Sequence, residues 1–236
     1  MSWGRSRKAV RPLIAAALLA TAGAALADIL VVRSSGPSAT GFPPGKRLPE
    51  SARISLKPGD QLIVLDGRGT RVIRGPGTFT AGVPAVARPR SGPASRRRSR
   101  IGAVRGEEGA ELRPPSIWHV DVARSSNVCV ADPSKVTLWR ADPVQAVTLD
   151  IGGPADRSKR LDWQAGSSTL AWPSDLPVTE GVLYRLSRGG GPAPTGIRFR
   201  IMPATPAGLE DMAQTLIRNR CDAQLDRFIE TVKLPG

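Results

Sequence analysis

Arg53-Ile54-Ser55-Leu56-Lys57-Pro58-Gly59-Asp60-Gln61-Leu62-Ile63-Val64-Leu65-Asp66-Gly67-Arg68-Gly69-Thr70-Arg71-Val72-Ile73-Arg74 is the stretch whose reading sets the fold class. Its first five residues alternate polar and apolar with period two, as a half-buried strand does. Pro58-Gly59-Asp60 turns the chain into a second strand, Gln61–Leu65. Asp66-Gly67-Arg68-Gly69 reads as a hairpin turn, because Asp-Gly accepts the positive φ angles that tight turns need. Thr70–Arg74 returns antiparallel, and Gly75-Pro76-Gly77 turns once more into Thr78-Phe79-Thr80. Four short strands in this space predict a compact β-meander or roll, a small β domain over residues 28–83. Upstream, Ile29-Leu30-Val31-Val32 is a short apolar strand. Gly36-Pro37, Phe42-Pro43-Pro44-Gly45 and Pro49 exclude regular helix and predict an extended segment laid on a surface.

Working outward, residues 84–116 break the strand pattern. The stretch holds eight arginines, the densest at Arg96-Arg97-Arg98-Ser99-Arg100, with Pro89, Pro93, Pro114 and Pro115. Too few apolar residues are present to bury, which predicts a basic Pro/Arg-rich linker. From Ile117 a second β pattern begins. Candidate strands are Ile117–Val122, Asn127–Ala131, Val136–Arg140, Ala146–Ile151, Arg160–Gln164, Ser168–Trp172, Gly181–Ser187 and Gly196–Met202, separated by Gly- and Pro-rich turns. Eight short strands so spaced predict an Ig-like two-sheet sandwich over 117–203. Trp139, Trp163 and Trp172 fall within these strands and are read as core; a carbohydrate-binding platform would need several of them exposed on one face. Residues 204–236 carry the only helical pattern. Leu209, Met212, Ala213, Leu216, Ile217, Cys221, Leu225, Phe228 and Val232 fall on one stripe behind a Thr205-Pro206 start, predicting one C-terminal helix packed on the sandwich. The expected fold class is therefore mainly β: a small meander or roll, a sandwich, and one C-terminal α-helix.

Leu56-Lys57-Pro58-Gly59-Asp60, Leu65-Asp66-Gly67-Arg68-Gly69-Thr70 and Arg74-Gly75-Pro76-Gly77-Thr78 follow one another in a set order. Over residues 54–80 this succession of a Gly-Asp turn, a hairpin and a Gly-Pro-Gly turn resembles FecR-like periplasmic β domains. The resemblance implies a β-rich sensing or docking module. It does not extend to the inner-membrane helix of FecR-like regulators, since the mature chain contains no apolar segment of that length.

The N-terminus predicts export. Arg5, Arg7, Lys8 and Arg11 precede an apolar stretch whose 14 residues from Leu13 to Leu26 lead into Ala25-Leu26-Ala27, a small-x-small peptidase site. A helix of that length spans about 21 Å, short of the roughly 30 Å hydrocarbon core, so residues 1–27 read as a Sec signal cleaved after Ala27 rather than an anchor. The full chain carries a net charge of +14; removing these four basic residues leaves +10. Outside the cytoplasm such a balance suits an envelope protein, cell-wall polymer or anionic membrane surface, and nucleic acid is not expected. Cys129 and Cys221 are the only cysteines. An even pair in an oxidising compartment predicts one disulfide, closing a long loop.

Little in the sequence points to chemistry. His119 is the single histidine and lies two residues from Asp121, so on a strand the two share a face. No nucleophile turn accompanies them. Zinc would need more ligands than one histidine and two distant cysteines, and no carboxylates have calcium-loop spacing. No cofactor is expected. The leading expectation is an exported, non-catalytic periplasmic binding or accessory module, with a place in an envelope sensing assembly. One alternative is an envelope enzyme using His119 with Asp121. The other is a wall- or lipid-associated structural protein contacting anionic surfaces through Arg96, Arg97, Arg98 and Arg100.

Overall fold

The structure, a computed structural model, describes residues 1, 28–83, 112–189 and 193–234. Its first unit is built from β1 (Asp28–Ser35), β2 (Arg47–Pro49), β3 (Arg53–Leu56), β4 (Gln61–Asp66), β5 (Gly69–Arg74) and β6 (Gly77–Thr80). One antiparallel sheet has the order β2-β1-β4-β5, and β3 pairs with β6 alone. The hairpin expected at Asp66–Gly69 is present as β4–β5, with Leu65 opposite Thr70 and Gln61 opposite Arg74. The unit is a roll: the β3–β6 pair closes over one face of the larger sheet. Ile29, Val31, Ile54, Leu62, Val64 and Ile73 fill the space between. Asp60 makes the corner between the layers, accepting hydrogen bonds from Ser38 N–H at 2.9 Å and Lys57 N–H at 2.5 Å.

β1 is longer and more central than the sequence reading placed it. Ile29, Leu30, Val31 and Val32 are all buried because both faces of this strand are covered, which is what an unbroken apolar run requires. The register slips between Val31 and Arg33, so Val32 is a bulge residue. The bulge lets Val32 pack toward the helices described below while Arg33, beside it, reaches carboxylates on the second of them.

The second unit contains β7 (His119–Asp121), β8 (Ser126–Val130), β9 (Thr137–Trp139), β10 (Val147–Gly152), β11 (Ser158–Trp163), β12 (Thr169–Ala171), β13 (Leu183–Arg188) and β14 (Thr195–Ile201). A five-stranded sheet, β11-β10-β13-β14-β8, faces a three-stranded one, β12-β9-β7. All pairs are antiparallel except β8 with β14 and β7 with β9. The tryptophans are core: Trp139, Trp163 and Trp172 are buried, and Trp172 meets Tyr184 and Phe199 edge-on with ring centroids 5.2 and 5.0 Å apart. These rings form no exposed platform. The Tyr184 hydroxyl donates to Pro177 O at 2.8 Å, tying the loop before β13 to the core in the manner of a tyrosine corner. Arg140, at the end of β9, is also buried. Its guanidinium donates to the carbonyls of Ser167, Gln145 and Gln164 and lies 4.9 Å from the Trp163 ring centroid.

The C-terminal helical segment is two helices, α1 (Leu209–Arg218) and α2 (Asp222–Thr231), where the stripe had suggested one. The break has a backbone cause. Cys221 N–H donates to Leu216 O and Arg220 N–H to Ile217 O, the paired bonds of a Schellman motif, and Arg220 sits at φ +54°. The first helix also starts later than Thr205-Pro206, at Leu209 after an extended Gly208, and Asp211 reaches back to accept from Ala207 N–H. The helices do more than cover the sandwich. Ala213, Leu216, Leu225, Phe228 and Ile229 pack against Leu30, Val32 and Leu65 of the first unit and against Cys129 and Met202 of the second. They form a wedge between the two β units.

Candidate functional site

Cys129 and Cys221 are joined, with their Cα atoms 5.9 Å apart. The bond fixes the start of α2 to β8. Just beyond it Gln224, a buried side chain, accepts from Cys129 N–H at 2.6 Å and donates to Cys129 O at 2.9 Å and Ile117 O at 2.7 Å. β8 is an edge strand, and Gln224 meets the backbone groups that a further strand would otherwise pair. The sandwich edge is thereby sealed against α2. On its other side α2 is held to the first unit: Arg33 pairs with Asp222 at 3.1 Å and Asp226 at 2.8 Å, and Thr70 Oγ1 donates to Ile229 O at 2.8 Å. The chain after α2 continues along the edge of β5, where Thr70 N–H donates to Val232 O and Leu234 N–H to Thr70 O. Gly69 is required there, since a Cβ would lie 2.3 Å from Val232 O.

This bracing leaves a cleft of about 460 Å³ where the two units and α2 meet. Gln61, Ile63, Val72 and Arg74 of β4 and β5 line one side, and Ala223, Asp226, Arg227 and Glu230 of α2 another. Arg113, Pro114, Ser116, Ile117 and the residues of β7, with Ser126 and Val128 of β8, line a third side. Residues 112–116, which the composition assigns to the linker, are thus packed against α2: Arg113 pairs with Glu230, and Arg227 donates to Pro115 O at 3.2 Å.

His119 and Asp121 both line this cleft. His119 Nδ1 is hydrogen-bonded to Ser116 Oγ at 2.8 Å, leaving Nε2 as the ring nitrogen without a partner among the described residues. Burial lowers the His119 pKa below its ordinary value, so the ring is neutral at pH 7. Asp121 accepts from Ala123 N–H at 2.9 Å, closing the turn after β7. Arg96, Arg97, Arg98 and Arg100 lie outside the described residues. Ser116, Gln224, Arg74 and Lys233 are cleft residues that sequence reasoning missed. They come from four separate segments, and no local pattern links them. Among the described residues no group of three or more His, Cys, Asp or Glu gathers as a metal site would require, and no helix is long and apolar enough to cross a membrane. No protein family, curated protein or solved structure matches this chain.

Proposed function

We propose that this chain is an exported, non-catalytic binding module of the periplasm, serving an envelope assembly, and that its ligand site is the cleft between the two β units. The observation that carries this reading is the cleft itself: about 460 Å³, formed at a junction of β units and braced on α2 by a disulfide and by Arg33. Sites for small ligands occur preferentially at such junctions and at about this volume. The disulfide fits an oxidising compartment. The turns of residues 54–80 support a FecR-like docking role for the first unit.

A second reading is an envelope enzyme. Its supporting observation is that His119 and Asp121 line the same cleft, with the imidazole neutral and able to accept a proton. Complementation of a deletion strain separates the two. Ala223 is exposed on the cleft side of α2, so Ala223→Trp fills the cleft without disturbing the core. The binding reading expects Ala223→Trp to fail and His119→Ala to complement fully. Failure of His119→Ala together with Ala223→Trp would transfer the function to catalysis, and full complementation by Ala223→Trp would remove the cleft from it.

A further inference from the structure

The charges around the cleft are unevenly matched. Glu230 is shared by Arg113 and Arg227, and Asp226 is engaged by Arg33 from β1. Asp121 is tied to the Ala123 backbone, and both Asp121 and Arg124 have further contacts within the protein. Two cations remain. Arg74 at the end of β5 and Lys233 after α2 line the cleft, are exposed, and form no ion pair among the described residues. Part of the lining is apolar. Ile63, Val72 and Ile117 are only half-buried, so the protein's own packing leaves part of their surface uncovered within the cleft.

An apolar surface in a recess favours an apolar guest, because covering it releases water. Cations without partners favour an anion, and the favourable term grows as the guest excludes solvent around them. The same cations disfavour a metal ion. We propose that the cleft takes an organic anion with an apolar body, a carboxylate being the simplest head group, and that Arg74 and Lys233 hold its charge. This inference rests on the cleft being the binding site and adds the chemistry of its ligand.

The test is calorimetric titration of the protein, purified from its producing cells, with sodium decanoate, decanol, inorganic phosphate and phosphatidylglycerol vesicles as separate probes. Saturable binding of decanoate is expected, with decanol weaker by about tenfold or more, as loss of a charge-assisted contact requires. Arg74→Gln and Lys233→Gln should each weaken decanoate by about tenfold while leaving the urea midpoint unchanged, since both side chains are exposed. The proposal is overturned if decanoate does not bind, if phosphate binds as well as decanoate, if the double variant binds decanoate like the parent, or if only vesicles bind. An overturning result with Ala223→Trp still failing to complement would leave the cleft as the binding site and remove only this ligand class.

Discussion

Gln224→Leu isolates the contact that seals the sandwich against α2. The wild-type amide satisfies three backbone groups: Cys129 N–H, Cys129 O and Ile117 O. Leucine fills similar space but offers no polar atom, so the loss is one of hydrogen bonding rather than packing. Ile117 is half-buried, and its carbonyl can turn to water. Cys129 is fully buried, and its two groups face an edge that α2 keeps dry. Stranding a buried polar group costs about 1–3 kcal/mol, so two such groups give about 3 kcal/mol in total. That is a large part of the stability of an ordinary domain. Urea unfolding of both proteins under oxidising conditions measures the difference, with equal m-values required for the comparison. Gln224→Glu supplies a second test: near neutral pH it keeps an acceptor for Cys129 N–H but turns a carboxylate toward two carbonyls. It should be at least as damaging there and recover partly as acidification protonates the new carboxyl. A loss below about 1 kcal/mol for Gln224→Leu would refute the argument, because it would mean water reaches the β8 edge.

Arg220→Gly should stabilise the protein by about 1 kcal/mol in the same assay, since glycine adopts the left-handed conformation at the helix break without the Cβ penalty; a destabilised variant would show that the arginine side chain outweighs its backbone. Replacing both cysteines by serine opens a covalent link spanning 92 residues and should cost about 4.6 kcal/mol on the loop-entropy model, read from the same curves. Freely labelled thiols in the folded wild-type protein would contradict the disulfide. Burial lowers the His119 pKa, so the unfolded chain binds the proton more readily, and the stability from the neutral ring is full above about pH 6.5 and is lost progressively as pH falls from there through the lowered folded-state value. Thermal melts between about pH 7.5 and pH 5.5 should show this decline in the wild type and a flatter profile in His119→Gln. Asp132, held at about 2 by hydrogen bonds from Ser134 and Lys135, acts only in far more acid solution.

Where the outcome depends on neighbours in sequence, the sequence was a sufficient guide. Alternation and turn residues located every strand of the second unit within two residues of its place, because each strand needs only a period of two and a turn at either end. The cysteine pairing followed from there being two. The helical stripe identified the right residues but not their division, since the apolar spacing runs through Asn219-Arg220-Cys221 without glycine or proline. The turn there is made by backbone bonds and an arginine at positive φ, which composition does not announce.

What the tertiary structure alone decided is which strands become neighbours and which charges remain unmatched. Ile29–Val32 reads as a strand in isolation, yet its central position depends on β4 and β2 arriving on either side and on the helices covering one face. Arg140 looks like any polar strand end, and it is buried because the carbonyls of Ser167 and Gln164, from a distant turn, converge on it with that of Gln145. The cleft is the strongest case. Arg74, Ser116, His119, Gln224 and Lys233 share it only because a disulfide 92 residues apart and the Arg33 bridge hold α2 between the two units. Local propensity acts over a few residues, whereas a site of this kind is made by long-range packing that brings separate segments together and, among the described residues, leaves Arg74 and Lys233 without an ion pair.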